Sequence, residues 1–223
     1  MDKYSILKQY YGHSAFRAGQ EALIDAILSG RDALCVMPTG GGKSLCYQIP
    51  ALLLPGITLV VSPLISLMKD QVAALKSAGV PAAYINSSLT GEQIRTVYAR
   101  TRKGAYKLIY VAPERLETNS FLSLMQEMDV SFLAVDEAHC ISQWGQDFRP
   151  SYLGIVDFIN ALPRRPIVAA YTATATKQVQ SDILRLLQLQ SPYRIVTGFD
   201  RPNLYFDVRR PKNKFSALAA LID

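Results

Sequence analysis

The chain has 223 residues, 49% hydrophobic and 19% charged, with a net charge of +6 at pH 7. That composition excludes a disordered segment, and the length suits one large α/β domain with a substantial core better than two small ones. The positive charge favours a polyanionic partner. Cys35, Cys46 and Cys140 are odd in number, lack metal-ligand spacing, and read as small buried hydrophobes in a reducing compartment. The longest apolar region, residues 49–61, is broken by Pro50, Pro55 and Gly56, and no signal-peptide pattern opens the chain, so a cytoplasmic protein without a membrane partner is expected.

An amphipathic segment at residues 4–11 precedes a clearer helix at about 19–28, with Leu23, Ile24, Ile27 and Leu28 on one face. Gly30 and Arg31 close that helix before an apolar run at 33–37, expected as a strand. The run leads into Met37-Pro-Thr39-Gly40-Gly41-Gly42-Lys43-Ser44, with a helix to follow. A glycine-rich turn between strand and helix leaves backbone N–H groups pointing at an anion, and the helix N-terminus adds positive potential. Lys43 then reaches the β and γ phosphates of a nucleoside triphosphate, and the Ser44 hydroxyl ligates Mg²⁺. The usual G-x-x-x-x-G-K-[ST] pattern wants a glycine where this chain has Met37; the three consecutive glycines supply the freedom the turn needs.

Further on, a strand is expected at 58–62, a helix at 64–78 and a short strand at 82–85. Thr90 and Gln93 form a capping box for a helix reaching about residue 102. Strands follow at 107–111, 131–135 and 167–171, with helices near Phe121, Gly154 and Val179. Short, almost continuously apolar strands separated by helices imply a mostly parallel sheet with helices on both faces, and polar motifs along the edge formed by strand C-termini. Residues 198–204 break the pattern. Residues 205–223 hold too little apolar material for a lobe, and a basic patch at 209–214 precedes a last short helical run. The expected division is one domain over 1–200 and a linker over 201–223 that begins a further lobe.

The segment Phe132-Leu-Ala-Val-Asp136-Glu137-Ala-His139 places two carboxylates at the C-terminal end of a buried strand. Asp136 is the candidate metal partner, and Glu137 the candidate general base that orients and polarises an attacking water. Strand ends often carry solvated acids for no chemical reason, but beside a phosphate loop the catalytic reading is preferred.

The Asp-Glu-Ala-His segment and the phosphate loop resemble the second superfamily of helicases, and five further segments resemble the RecQ family of DNA helicases. They are Tyr11-Gly12-His13-Ser-Ala-Phe16-Arg17-Ala-Gly-Gln20, Ser62-Pro-Leu-Ile-Ser-Leu-Met-Lys-Asp-Gln71, Val111-Ala-Pro-Glu-Arg115, Cys140-Ile-Ser-Gln-Trp-Gly-Gln-Asp-Phe-Arg149 and Thr172-Ala-Thr-Ala-Thr176. The resemblance runs from Leu7 to Asn203 in the family's motif order.

It implies a single RecA-like P-loop domain, the first lobe of a motor that hydrolyses ATP with Mg²⁺ and moves 3′ to 5′ on single-stranded DNA. It also implies cytoplasmic, nucleoid-associated work in DNA repair or recombination. A second RecA-like lobe of the same protein would complete the site, and partially duplex DNA would be unwound. By the same resemblance Gln20 reads the adenine edge, Arg17 stacks on its face, and His13 stands where relatives commonly carry a tyrosine. Trp144, Phe148 and Arg149 form an aromatic-rich loop on DNA, pivoting at a glycine, while Ser62 and Arg115 contact the DNA backbone. Thr172 and Thr174 link hydrolysis to the DNA side, with His139 as their hydrogen-bond partner. Two alternatives remain open at this point: an RNA-dependent ATPase, and a nucleotide-regulated DNA-binding module.

Overall fold

The apolar runs pair into one seven-stranded sheet in the computed structural model, which describes residues 1–198, 204–205, 207–208 and 210–221. The strands are β1 (Ala33–Val36), β2 (Ile57–Val61), β3 (Ala82–Ile85), β4 (Leu108–Val111), β5 (Val130–Val135), β6 (Ile167–Thr172) and β7 (Tyr193–Val196). Their spatial order is β3-β4-β2-β5-β6-β1-β7, and every pairing is parallel. β1, β2 and β4 are buried at every position, as strands covered on both faces must be.

Two cores lie on opposite faces. On one, α2 (Gln20–Leu28), α3 (Lys43–Leu53) and α4 (Ile65–Ser77) pack Leu23, Tyr47 and Val72 against the sheet. On the other, α5 (Gly91–Arg102), α7 (Asn119–Glu127), α8 (Gly154–Ala161) and α9 (Lys177–Leu186) contribute Tyr98, Phe121, Phe158 and Ile183. Phe121 is fully buried and stacks on Phe158 with ring centroids 5.9 Å apart. Burying each such side chain stabilises the fold by roughly 1.5–3 kcal/mol. α1 (Lys3–Tyr11) adds Ile6 and Leu7 to a satellite cluster with Ile24 and Ile49, and α6 (Pro113–Leu116) is a single turn after β4.

The Thr90–Gln93 capping box is present in both directions. Pro50 sits inside α3 and has no N–H to give to the carbonyl of residue 46. That carbonyl instead accepts the Tyr171 hydroxyl at 3.2 Å, so the helix continues without an orphaned acceptor. β7 was not anticipated from the sequence: it is an edge strand, only half-buried and alternating, and contains Arg194. The last helical run is α10 (Lys214–Ala219), exposed except at the half-buried Ala217. Residues 199–203 of the pattern break and Arg209 of the basic patch lie outside the described residues. No helix among the described residues is long and apolar enough to cross a membrane.

Candidate functional site

Strand order brings the motifs together. β5, β6 and β1 are neighbours, with Val135 opposite Ala170 and Val36 opposite Thr172. Their C-terminal ends therefore present the acidic pair, the threonine motif and the phosphate loop side by side.

The loop turns on glycine. Gly40 and Gly42 adopt φ of +79° and +82°, the left-handed region that glycine enters without penalty, and Gly42 is the N-cap of α3. A Cβ at Gly42 would also collide with Nε2 of Gln20. Gln20 is buried, and its amide braces the loop: Nε2 donates to the carbonyls of Gly41 and Gly42, each at 3.2 Å, while Oε1 accepts the Arg17 N–H at 2.8 Å. The Arg17 guanidinium donates to the Gly40 carbonyl. To read adenine, Gln20 would exchange its carbonyl partners for the base. Lys43 Nζ folds back on the loop, 3.0 Å from the Met37 carbonyl. The loop, His13, Gln20, Asp136 and Glu137 line one cavity of about 410 Å³. Leu67 and Gln71 of α4 line it too, which the sequence did not suggest. Gln71 accepts from the buried Gln48 amide at 2.9 Å, tying α4 to α3. A buried glutamine in an otherwise apolar segment was the available signal.

Asp136 is 8% exposed, and its N–H donates to the Val61 carbonyl at 2.8 Å. Burial, with the like charge of Glu137, raises its carboxyl from 3.8 to about 6. The folded lobe holds this proton more tightly than the unfolded chain. Ionising Asp136 thus leaves stability intact below about pH 4 and lowers it progressively up to about pH 6. Replacing Asp136 with Asn should therefore stabilise this chain by about 1–3 kcal/mol near neutral pH and abolish that slope. Urea denaturation without added metal or nucleotide checks this; equal stability of the two proteins at low and neutral pH would overturn it. The buried Asp136 carboxylate and Ser44 line the same cavity, an oxygen donor set that fits a hard dication, whose charge would relieve this cost.

Glu137 adopts φ 47° and ψ 44°, a conformation that costs a non-glycine residue roughly 1–2 kcal/mol. Its surroundings hold it there: its N–H donates to Asp136 Oδ1 at 3.0 Å, and its carbonyl accepts the Cys140 N–H at 2.9 Å. A hydrogen bond from His139 lowers its carboxyl, so Glu137 is a carboxylate at neutral pH.

His139 lies with Nδ1 at 3.3 Å from Glu137 Oε2 and 2.9 Å from Thr172 Oγ1. The Thr172 hydroxyl gives its proton to the Thr174 carbonyl at 3.0 Å, so its oxygen accepts from Nδ1–H. The expected His139 partnership with the threonine motif is thus formed through Thr172 directly and Thr174 by its backbone. Cys140 Sγ, 3.9 Å from Nε2, and Glu137 together raise the imidazole to about 10.

The aromatic loop stands apart. Trp144 is 76% exposed, and Phe148 is half-buried. At Gly145 an added Cβ would collide with the His139 carbonyl, so the turn's close approach to the backbone requires glycine there. Arg149 acts as a strut, with Nε and Nη2 on Asp147 Oδ2 at 3.0 and 2.8 Å and Nη1 on the Pro63 carbonyl at 3.1 Å. Ser62 requires correction as a backbone contact. It is 1% exposed between β4 and β5, and its Oγ has no hydrogen-bond partner, so no phosphate reaches it here. Arg115 is half-buried and donates to the Asn86 carbonyl at 3.4 Å.

A glycine-rich loop at the end of one parallel strand, facing an acidic pair at the end of another, defines a P-loop α/β lobe. The sequence profile of the DEAD/DEAH box helicases matches residues 17–182, and the chain belongs to that family. It is 50% identical over 211 residues to the ATP-dependent DNA helicase RecQ of Bacillus subtilis, covering 94% of this chain and 36% of that protein. It is 49% identical over 218 residues to the RecQ helicase of Haemophilus influenzae, covering 98% and 35%. The chain thus spans about a third of the length of these relatives. The crystal structure of the Hef helicase domain from Pyrococcus furiosus aligns with a TM-score of 0.62 at 21% identity, covering 81% of this chain and 38% of that one, which bears on the fold alone.

Proposed function

We propose that this chain is the ATP-binding first motor lobe of a RecQ-type 3′-to-5′ DNA helicase, with residues 201–223 leading to the second lobe. The observation that carries the reading is the meeting of Lys43, Asp136 and Glu137 on one cavity, with His139 extending from that pair to Thr172. The relatives named as DNA helicases favour DNA over RNA as the polymer, and the exposed Trp144 offers a ring on which its bases can stack.

On nucleotide binding, Lys43 leaves the loop carbonyls for the β and γ phosphates, and the loop N–H groups close around them. Ser44 and Asp136 would hold Mg²⁺, which neutralises charge on the phosphates when bound. Glu137, already ionised, takes a proton from the attacking water. His13, Arg17 and Gln20 receive the base, with Thr39 at the loop's entrance. The second lobe adds arginines worth roughly 10³-fold or more in comparable enzymes, so this lobe alone unwinds no duplex efficiently.

In the full-length protein, Trp144→Ala should weaken single-stranded DNA binding roughly 5- to 150-fold, since base stacking on one aromatic contributes about 1–3 kcal/mol. Basal hydrolysis should stay the same, which ATPase titrations with DNA would check. The reading as a whole is tested by strand displacement and by comparing single-stranded DNA with RNA as ATPase activators. Stronger stimulation by RNA would move the assignment to an RNA-dependent ATPase. DNA-linked activities left unchanged by both Lys43→Ala and Glu137→Gln would favour a nucleotide-regulated binding module in which hydrolysis is incidental.

A further inference from the structure

Beneath the Trp144 loop lies a polar tie that the nucleotide chemistry does not use. Ser142 is fully buried and donates through Oγ to Asp182 Oδ2 at 2.7 Å. The same Oγ accepts the Trp144 N–H at 3.2 Å. Asp182, on α9, is 6% exposed, and its other oxygen accepts Arg185 Nη2 at 3.0 Å. The bond from Ser142, with Arg185, holds its carboxyl below the ordinary value, so the acceptor is a carboxylate and the bond to Ser142 is charge-assisted. The Ser142 N–H donates to the His139 carbonyl at 3.1 Å, so this residue joins the start of the loop to the segment that carries the acidic pair.

The tie matters because packing does not hold the indole where it is. Trp144 is 76% exposed at the edge of a cavity of about 390 Å³ that it helps to line, whose apolar walls Ile141, Phe148, Leu153 and Leu186 stand beside Asp182 and Arg185. The hydrophobic effect draws a large exposed ring toward those apolar walls. Among the described residues, the bonds that fix the Trp144 backbone against that pull converge on Ser142.

We propose that Asp182 is a positioning residue for the Trp144 loop: through Ser142 it holds Trp144 outward, available for a base of single-stranded DNA, and prevents its collapse into the cavity beside α9. This rests on the reading of the loop as a DNA contact. Asp182 does not line the nucleotide cavity; it acts on the Trp144 loop from forty residues away in sequence through one buried hydroxyl.

The test compares Asp182→Ala, Ser142→Ala and the conservative Asp182→Asn in the full-length protein by hydrogen–deuterium exchange and by ATPase titrated with single-stranded DNA. In the first two variants, amides at 142–149 should exchange about tenfold faster or more, while peptides from β5 and β6 keep their protection. The DNA concentration for half-maximal stimulation should rise roughly 5- to 50-fold, with basal hydrolysis within about twofold. Asp182→Asn keeps an oxygen for Ser142 and should restore most of both. Unchanged loop exchange would overturn the proposal. So would faster exchange spreading through β5 and β6 with basal and stimulated hydrolysis falling together, the signature of general destabilisation. Trp144→Ala, run in parallel, separates the two readings. If it leaves stimulation intact, the DNA role of the loop fails, and loop exchange alone decides the positioning claim.

Discussion

Replacing Glu137 with Gln in the full-length protein should lower DNA-stimulated ATP hydrolysis roughly 10²–10⁴-fold, the range for loss of a general base. Nucleotide affinity should stay within a few-fold. The substitution keeps volume and hydrogen-bonding capacity, and glutamine meets the same left-handed backbone at 137, so folding is little changed. His139 retains Thr172 as a partner, which leaves the link to the threonine motif in place. The measurement is kcat beside a fluorescent-nucleotide binding curve. A rate within tenfold of the parent would assign the base elsewhere, and parallel loss of binding would make Glu137 a structural residue.

The second large effect is on stability and arises at the opposite end of the sheet. Asp32 is 3% exposed and accepts four hydrogen bonds: from Arg165 Nη1 and Nη2 at 3.1 and 2.6 Å, from the Val168 N–H at 2.9 Å and from the Gln190 N–H at 2.6 Å. One carboxylate thus closes the entry to β1, the start of β6 and the loop after α9. Replacing Asp32 with Ala strands two amides and leaves the partly buried Arg165 guanidinium with only the Pro166 and Gln188 carbonyls, and should destabilise the fold by about 3–5 kcal/mol. A domain holds only about 5–15 kcal/mol in total, so the loss is large. It would be read as a fall in the urea midpoint with an unchanged m-value. A change under about 1 kcal/mol would show that water enters and satisfies these donors. The site itself should be spared, because Asp32 precedes β1 and the phosphate loop follows it.

Much of the site was legible in the sequence because its chemistry is local. The phosphate loop is eight consecutive residues between a strand and a helix, and Asp136-Glu137 end an apolar run whose burial pattern declares a strand. The capping box at Thr90 and Gln93 was legible for the same reason, since its partners lie three residues apart. β7 escaped because an edge strand is only half-buried: Tyr193-Arg194-Ile195-Val196 lacks the continuous apolar run that marked the other strands, and its pairing with β1 bridges most of the chain. Ser62 was expected on the DNA backbone, yet β2 lies between β4 and β5, and both neighbours cover its end. Arg149 was expected on DNA within the aromatic loop; its bond to the Pro63 carbonyl, 86 residues away in sequence, is one that no local pattern announced.

By itself, then, the sequence determined the parallel α/β class, the phosphate loop, the acidic pair and the aromatic segment, because periodicity and short motifs depend on residues within a few positions of one another. Only the tertiary structure decided which distant polar groups meet. Ser142 finds Asp182 40 residues away, and Asp32 finds Val168 136 away. Those meetings follow from strand order β5-β6-β1, set by how the whole set of apolar faces packs, and no local pattern carries that information.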